Sequence, residues 1–461
     1  MEVRGKLVLE GLREELRAGR LHTVITALPD LYGRLVGKRI TGAFFLEEVA
    51  QHGMHLCDYL LACDMEMNPV PGYGFTSWEK GYGDLRAVPD LGTLRRAAWL
   101  EGTAIVLCDA LEEERDVPIE VSPRRILRRQ LERAQAHGLA PFMGSELEFF
   151  LFDETYASAR ERHYHDLRKS QGYVEDYHLL AGTFAEPVIG AIRAGVDASA
   201  IPVEFSKGEW GPGQHEINLR YAGALEMADR HVIYKQAAKE IAAQHGRALT
   251  FMAKWHEAHA GNSLHIHMSM TNADGAPAFA GDEPLPGTDL RSSATFRHAL
   301  GGLLAHARDL VLLFAPYPNS YKRYQEGTFA PTRVAWSYDN RTVGFRVVGH
   351  GSSLRVECRI PGGDANPYLA YAGMIAAALD GIERELEPGP AFAGDAYEAD
   401  ELPRVPRSLD EAIARFGESE LARTAFGEEV VAHLLHFARS EAAVAARVVT
   451  DFERSRYFER G

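Results

Sequence analysis

Cysteine is scarce in this chain, and the little there is has no pattern. Cys57, Cys63, Cys108 and Cys358 form no CxxC pair and no zinc-finger spacing. A zinc ribbon and a disulfide framework are therefore not indicated, and reduced, buried thiols are expected. No apolar run reaches the ~20 residues needed to cross a bilayer, and no signal peptide opens the chain, so a cytoplasmic protein with no membrane partner is expected. Basic residues are outnumbered as well: 50 Lys and Arg against 65 Asp and Glu give a formal net charge of −15. That excludes a general nucleic-acid binder but allows local basic sites for an anionic substrate. Neither a Walker GxxxxGK[ST] nor a helix-opening GxGxxG is present. A bound nucleotide would need a scaffold other than a P-loop or Rossmann unit.

What is present is a long chain, 461 residues at 46% hydrophobic, enough for one large domain and a smaller one. Residues 7–18 read as an amphipathic helix, and 24–40 as a hairpin turned by Pro29, Asp30 and Gly33. TAIVLCDAL, 103–111, reads as a buried strand that runs into the acidic stretch EEERD, 112–116. A boundary there divides the chain into a β-rich domain, 1–115, and a large mixed domain, 116–461. Ser122 and Pro123 suit the cap and first turn of a helix closed by Gly138, and further helices fit 224–245, 291–314 and 366–387.

Between these helices lie strands with ionisable faces. GSELEFFLFD, 144–153, aims Glu146 and Glu148 to one side, because alternate residues of a strand share a face. GQHEINLRY places Gln214, Glu216, Asn218 and Arg220 together, with Glu209 across the turn WGPG. SLHIHMSM aligns His265, His267 and Ser269, and SLRVECRI aligns Arg355, Glu357 and Arg359. A half-exposed antiparallel strand also alternates, with solvent satisfying its charges. Glu-x-Glu and His-x-His recurring across several strands favour convergence inside a cleft. Five glutamates and one or two histidines suit two divalent cations of the magnesium or manganese type rather than zinc. Lys322, Arg323, Arg341 and Arg346 bring cations from two Gly-containing loops. Metals beside arginines suit phosphoryl transfer, where charge spreads over the phosphoryl oxygens.

Taken in order, GSELEFFLFD, EWGPGQHEINLR, GNSLHIHMS, NSYKRY, YDNRT and LRVECRIPGGDANPYLA resemble the signature segments of the glutamine synthetase family, type I branch. The resemblance spans nearly the whole chain. It implies an α+β fold: an N-terminal β-grasp domain and a catalytic domain whose antiparallel, barrel-like sheet is flanked by helices. It also implies ATP, two or three Mg2+ or Mn2+ ions, and a dodecamer of two hexameric rings with active sites between adjacent subunits. By position, Glu148, Glu209 and Glu216 resemble the ligands of one metal, and Glu146, His265 and Glu357 those of a second. His267, Ser269, Glu204, Tyr221, Arg346 and Arg355 fall at nucleotide positions. Arg323 and Arg359 resemble clamps on the substrate amino acid, which Gly261 also lines, and Arg341 resembles the group that stabilises the transferring phosphoryl. The implied chemistry is phosphorylation of the γ-carboxylate of glutamate by ATP, followed by attack of an amine on the acyl phosphate.

Three departures bear on the amine. Glutamine-forming members carry a glutamate just before Ala-Pro in the loop after NSYKR. Here the loop reads EGTFAP and the position is Phe329, which cannot accept a proton or pair with ammonium. The Asp-Gly-Ser-Ser ammonium segment is missing, and LLACDMEMNPVPGYG offers Asp64 and Glu66 instead. The Asn-Gly before the metal histidine is Ala260-Gly261. These changes resemble the γ-glutamyl-amine ligases, and a polyamine is the favoured amine because an acidic pocket with an aromatic ring suits an alkyl diamine. The competing readings are ordinary glutamine synthesis, ligation of ethanolamine, isopropylamine or aniline, a non-catalytic relative, and a metal-dependent amidohydrolase. Tyr397 is the counterpart of a regulatory adenylylation tyrosine but lacks the flanking motif, so that modification is not expected.

Overall fold

The computed structural model describes residues 4–461. The helix expected over 7–18 spans Leu9–Arg17. The expected hairpin follows as β1 (Thr23–Pro29) and β2 (Leu35–Thr41). Asp30 closes its turn by accepting a hydrogen bond from the Arg34 backbone N–H at 2.8 Å, and Gly33 takes the left-handed conformation at φ 72°. The next strands are β3 (Met54–Cys57), β4 (Asp84–Pro89), β5 (Arg95–Arg96) and β6 (Thr103–Glu112). They form a mixed sheet in the order β2-β1-β6-β4-β3, with β5 also on β6. Only the central pair β1–β6 is parallel, the arrangement of a β-grasp.

The helix Pro123–Ala136 starts as expected with proline in its first turn, but the Ser122 hydroxyl makes no cap bond. Its second residue, Arg124, is buried at the seam between the small sheet and the helices. The guanidinium pairs with Asp90 and Asp109 of the sheet side and forks onto Asp229 at 3.1 and 2.9 Å. Asp229 also accepts from the Tyr368 hydroxyl at 2.6 Å. Arg124 is thus compensated on every side, which a guanidinium at 1% exposure requires.

The larger sheet contains β7 (Leu139–Phe152), β8 (Val203–Gly208), β9 (Gln214–Leu219), β10 (Ala222–Gly223), β11 (Ala248–Thr250) and β12 (Leu264–Asn272). A separate ribbon, β13 (Glu283–Pro284) with β14 (Arg291–Ser292), follows in the chain. The sheet is completed by β15 (Trp336–Tyr338), β16 (Phe345–Val348) and β17 (Arg355–Cys358). Its order is β15-β16-β17-β12-β7-β9-β8, antiparallel throughout except for β15–β16. It curves into a nearly closed, barrel-like sheet flanked by helices.

The helix expected over 224–245 spans Ala224–Gln244. The one expected over 291–314 is broken into Ala294–His306 and Val311–Phe314. Pro367–Glu383 begins as expected, with the Asn366 side chain accepting from Tyr368 N–H. A helix not anticipated from the sequence, Leu179–Asp197, contains Pro187 and three glycines, which read as breakers. Among the described residues it is the one helix long and apolar enough to cross a membrane by length and composition. Its Ala185, Val188, Ile189, Ile192 and Val196 are buried, and it packs on Ala224–Gln244 and β8. All four cysteines are free thiols, three of them buried.

Candidate active site

The register of the large sheet brings the ionisable faces together. Glu146 of β7 lies opposite His265 of β12 on one side and Asn218 of β9 on the other, and Glu148 lies opposite Glu216. His267 faces Glu357 of β17, which in turn faces Arg346 of β16. Leu147 and Phe149, on the opposite face of β7, are at most 1% exposed, so the core fixes the register: a slip of one residue would turn them toward the cleft and the carboxylates into the core. The solvated-strand alternative fails on burial: Glu148, Glu216, His265 and Glu357 are each 7% exposed or less.

Two groups of ligand-type atoms result. Glu148, Glu209 and Glu216 have carboxylate oxygens within 4.8 Å of one another. A second neighbourhood joins Glu146 to Glu216 and His265, and to His267 and Glu357. In the first group, burial and the Glu209 charge push the Glu148 carboxyl up to about 8. Burial, then repulsion from Glu146, Glu209 and Glu148, raises Glu216 well above the carboxylate range. Lys207 pairs with Glu209, and one ammonium does not offset three carboxylates. The Glu148 carboxylate also accepts from Ser263 N–H at 2.7 Å and Gln214 Nε2 at 3.1 Å, which orients it.

The second neighbourhood is better compensated. Burial raises Glu146, but hydrogen bonds from His265 and His267 outweigh it and hold the carboxyl below its usual range. Glu357, fully buried, is likewise held down to about 2: Arg359 leads the groups that offset its burial. Arg359 Nη1 donates to Glu357 at 2.6 Å and Arg346 Nη1 at 2.8 Å. Arg355 Nε donates to His267 Nδ1 at 3.2 Å, leaving His267 Nε2 to serve Glu146 at 2.7 Å. His265 Nδ1 lies 3.3 Å from Glu146 and 3.6 Å from Glu357, and its Nε2 has no partner although buried. Uncompensated carboxylates and an unpartnered imidazole nitrogen are what a divalent-cation site needs, so the residues fit the metals that the resemblance implies.

Glu146, Glu148, Glu209, Glu216 and His265 line a cleft of about 340 Å3, whose walls also include Lys207, Gly261, Ser263, Arg341, Arg346 and Arg359. Arg341 is exposed and has no side-chain hydrogen bond among the described residues, so its guanidinium is available to an anion. A second cavity of about 500 Å3 adjoins the cleft and shares Glu146, Phe205 and Asn218 with it. It is lined by Glu204, Tyr221, His267, Ser269 and Arg355, five of the six positions assigned to the nucleotide. The sixth, Arg346, stands on the cleft side. A register shift between Val203 and Phe205 of β8 lets Glu204 and Phe205 both reach this cavity.

Several expected residues lie elsewhere than the cleft wall. Arg323, 1% exposed, sits beneath it, with Nη1 on Ser263 Oγ at 3.2 Å and Nη2 on the carbonyls of Ile360 and Pro361. It packs behind Gly261, where an added Cβ would lie 2.5 Å from both Arg323 Cγ and Ala253 O. These bonds brace the backbone under the cleft floor. Asp64 and Glu66 do not line the cleft within the chain. The Asp64 carboxylate caps a local turn by accepting from Asn68 N–H at 2.7 Å, and Asp64 lines a separate cavity beside Tyr32 and Glu441. Phe329 does line the cleft, at φ 59° and half-exposed, against Trp210 with ring centroids 6.0 Å apart. Tyr397 donates to the Ala330 carbonyl at 3.1 Å and so ties down the Phe329 loop. Asp176, Tyr177, Phe205, Lys207 and Trp210 also line the cleft. Only the Lys207-x-Glu209 alternation offered a sequence signal for one of them.

Residues 120–457 match the catalytic domain of the glutamine synthetase family. A gamma-glutamylethanolamide synthetase of Streptomyces coelicolor is 49% identical over 454 residues, covering 98% of this chain and 96% of that protein. A glutamate–isopropylamine ligase of a Pseudomonas species is 35% identical, covering 97% of each chain. Among solved structures, a GmaS–ADP complex superposes with a TM-score of 0.84 at 28% identity, covering 98% of this chain and 100% of that one.

Proposed function

The chain belongs to the glutamine synthetase family, and we propose that it is an ATP-dependent ligase joining the γ-carboxyl of glutamate to a small organic primary amine. Ethanolamine is the first candidate, supported by the 49% identity to the Streptomyces enzyme. The observation that carries the reading is Phe329 at the cleft mouth, packed on Trp210, at the position where glutamine-forming members hold a carboxylate. An aromatic ring there gives up ammonium capture and covers the carbon chain of a larger amine.

In this reading Glu148, Glu209 and Glu216 hold one divalent cation, and Glu146, His265 and Glu357 a second. Bound there, the ions would neutralise charge on the phosphoryl oxygens. Glu204, Tyr221, His267, Ser269 and Arg355 line the nucleotide cavity, and Arg346 stands where that cavity meets the cleft. The γ-carboxylate oxygen of glutamate attacks the γ-phosphorus of ATP, the bond to ADP breaks, and Arg341 meets the charge on the transferring group. Arg359, anchored to Glu357 and to the Phe329 carbonyl, orients glutamate, and Arg323 holds the backbone beneath it. The ammonium first gives up a proton to solvent, the neutral amine nitrogen then attacks the acyl carbon, the C–O bond to phosphate breaks, and the proton lost from the nitrogen passes to the departing phosphate. Phe329 and Trp210 shield the acyl phosphate from water, which would otherwise compete with the amine.

The test is phosphate release with ATP and glutamate across putrescine, spermidine, ethanolamine, isopropylamine, aniline and ammonium. Turnover with ethanolamine well above that with ammonium supports the reading, and efficient turnover with ammonium alone refutes it. A polyamine is the second reading, favoured by a carboxylate at the aromatic mouth, Asp176, which suits a chain ending in a second ammonium. In a cytoplasmic dodecamer, the assembly that the resemblance implies, Asp64 and Glu66 would act only on a neighbouring subunit's site.

A further inference from the structure

Four large aromatic side chains ring the cleft without being buried by it. Tyr177 is 65% exposed, Phe205 49%, Trp210 52% and Phe329 46%, and all four line the same cavity. Exposed aromatics gathered at one mouth mark a binding surface rather than core. Among them stands one carboxylate, Asp176. It lines the cleft, belongs to none of the groups able to hold a metal among the described residues, and has no side-chain hydrogen bond or ion pair there. Every other carboxylate on the cleft wall sits in a metal-type group.

The backbone holds this pair in place at a cost. Asp176 and Tyr177 both have positive φ, 26° and 65°, a conformation that non-glycine residues adopt only when their surroundings impose it. Their backbone N–H groups donate to the carbonyls of Glu209 and Gly208, at 3.1 and 3.4 Å, so the strained turn is pinned to the strand end that carries Glu209. Lys207 Nζ, 4.3 Å from the Tyr177 ring centroid, braces the ring.

We propose that Asp176, with Tyr177, Trp210 and Phe329, forms the subsite that receives the amine as an alkylammonium ion. A primary alkylamine reaches the enzyme protonated at neutral pH. A carboxylate among aromatic faces recognises such a cation by charge and by its attraction to the rings, while the rings pack the alkyl chain. The aromatic wall favours a carbon-bearing cation over ammonium, which offers nothing to pack. The subsite rests on the ligase reading above. It replaces Asp64 and Glu66 as the source of negative charge for the amine with a residue of the same chain as the metal-type carboxylates.

The experiment measures KM for ethanolamine, glutamate and hydroxylamine on the full-length protein and its D176N, D176E and Y177A variants, with elution volume on gel filtration recorded for each. Hydroxylamine is the control nucleophile because it is uncharged at neutral pH. For D176N, ethanolamine KM rises about tenfold or more, the scale of a lost cation contact, while glutamate KM holds and hydroxylamine KM moves far less. D176E recovers most of the loss, and Y177A gives a smaller rise. An unchanged ethanolamine KM in D176N overturns the subsite, as does an equal rise for hydroxylamine or a changed elution volume, which would mark a structural or interface role. A wild type that forms the hydroxamate but no amide with any amine refutes the ligase reading itself, a result distinct from those.

Discussion

Glu146 and Glu148 stand two residues apart on one face of β7, yet their surroundings drive them in opposite directions. His265 and His267 hold Glu146 below the ordinary carboxylate range, whereas burial and Glu209 push Glu148 up to about 8. One carboxylate is already compensated by protein, and the other waits for a cation.

That difference gives a metal-removal prediction. Saturating Mg2+ or Mn2+ stabilises the protein by about 2–3 kcal/mol at a hundredfold excess over Kd, and chelation reverses the gain. Glu216→Gln relieves like-charge repulsion, so the metal-free variant melts at or above the wild-type temperature but loses most of the metal-induced rise. Thermal melts with and without EDTA check both halves.

The seam at Arg124 is expected to govern stability. Arg124→Ala strands Asp229, 1% exposed, without its ion pair and costs about 3–5 kcal/mol. Denaturant titration measures it, with Arg125→Ala on the same helix, whose pairs with Glu120 and Glu132 are partly open to solvent, costing about 1 kcal/mol or less.

Acid should unfold the protein partly through buried neutral histidines. Burial lowers His433, whose Nε2 lies 2.8 Å from the Leu61 carbonyl, to about 4, and lowers His215 to about 4. The unfolded chain takes up these protons near pH 6.5, before the folded one does, so stability is full above pH 6.5 and falls as pH drops from there to 4. His433→Gln removes part of that slope, read from denaturation midpoints across the window.

Gly261→Ala should disable the site without touching a polar group. The new Cβ would lie 2.5 Å from Ala253 O and from Arg323 Cγ, and rigid backbone on one side leaves it no room. Turnover falls about tenfold or more, since small misplacements in an active site are costly.

The strands that carry Glu146, Glu148, Glu216, His265, His267 and Glu357 were legible because alternation on a strand is local. The sequence shows which residues share a face, and the register then brings those faces together. The depth of Arg323 was not legible, since whether an arginine lines a cleft or lies beneath it depends on what packs over it, here Gly261. Asp176 and Tyr177 were missed because their turn is held by carbonyls of another segment, Gly208 and Glu209. Asp64 and Glu66 stand in the segment that replaces the ammonium motif, and within one chain Asp64 lies beside Glu441 rather than on the cleft.

The most direct test of the central claim is mass spectrometry of the product formed from ATP, glutamate and equal concentrations of ethanolamine and ammonium, by the wild type and by Phe329→Glu. The wild type is expected to yield predominantly the γ-glutamyl amide of ethanolamine, and Phe329→Glu to shift the ratio toward glutamine. Glutamine as the main wild-type product, with no change on introducing glutamate at 329, would contradict the account.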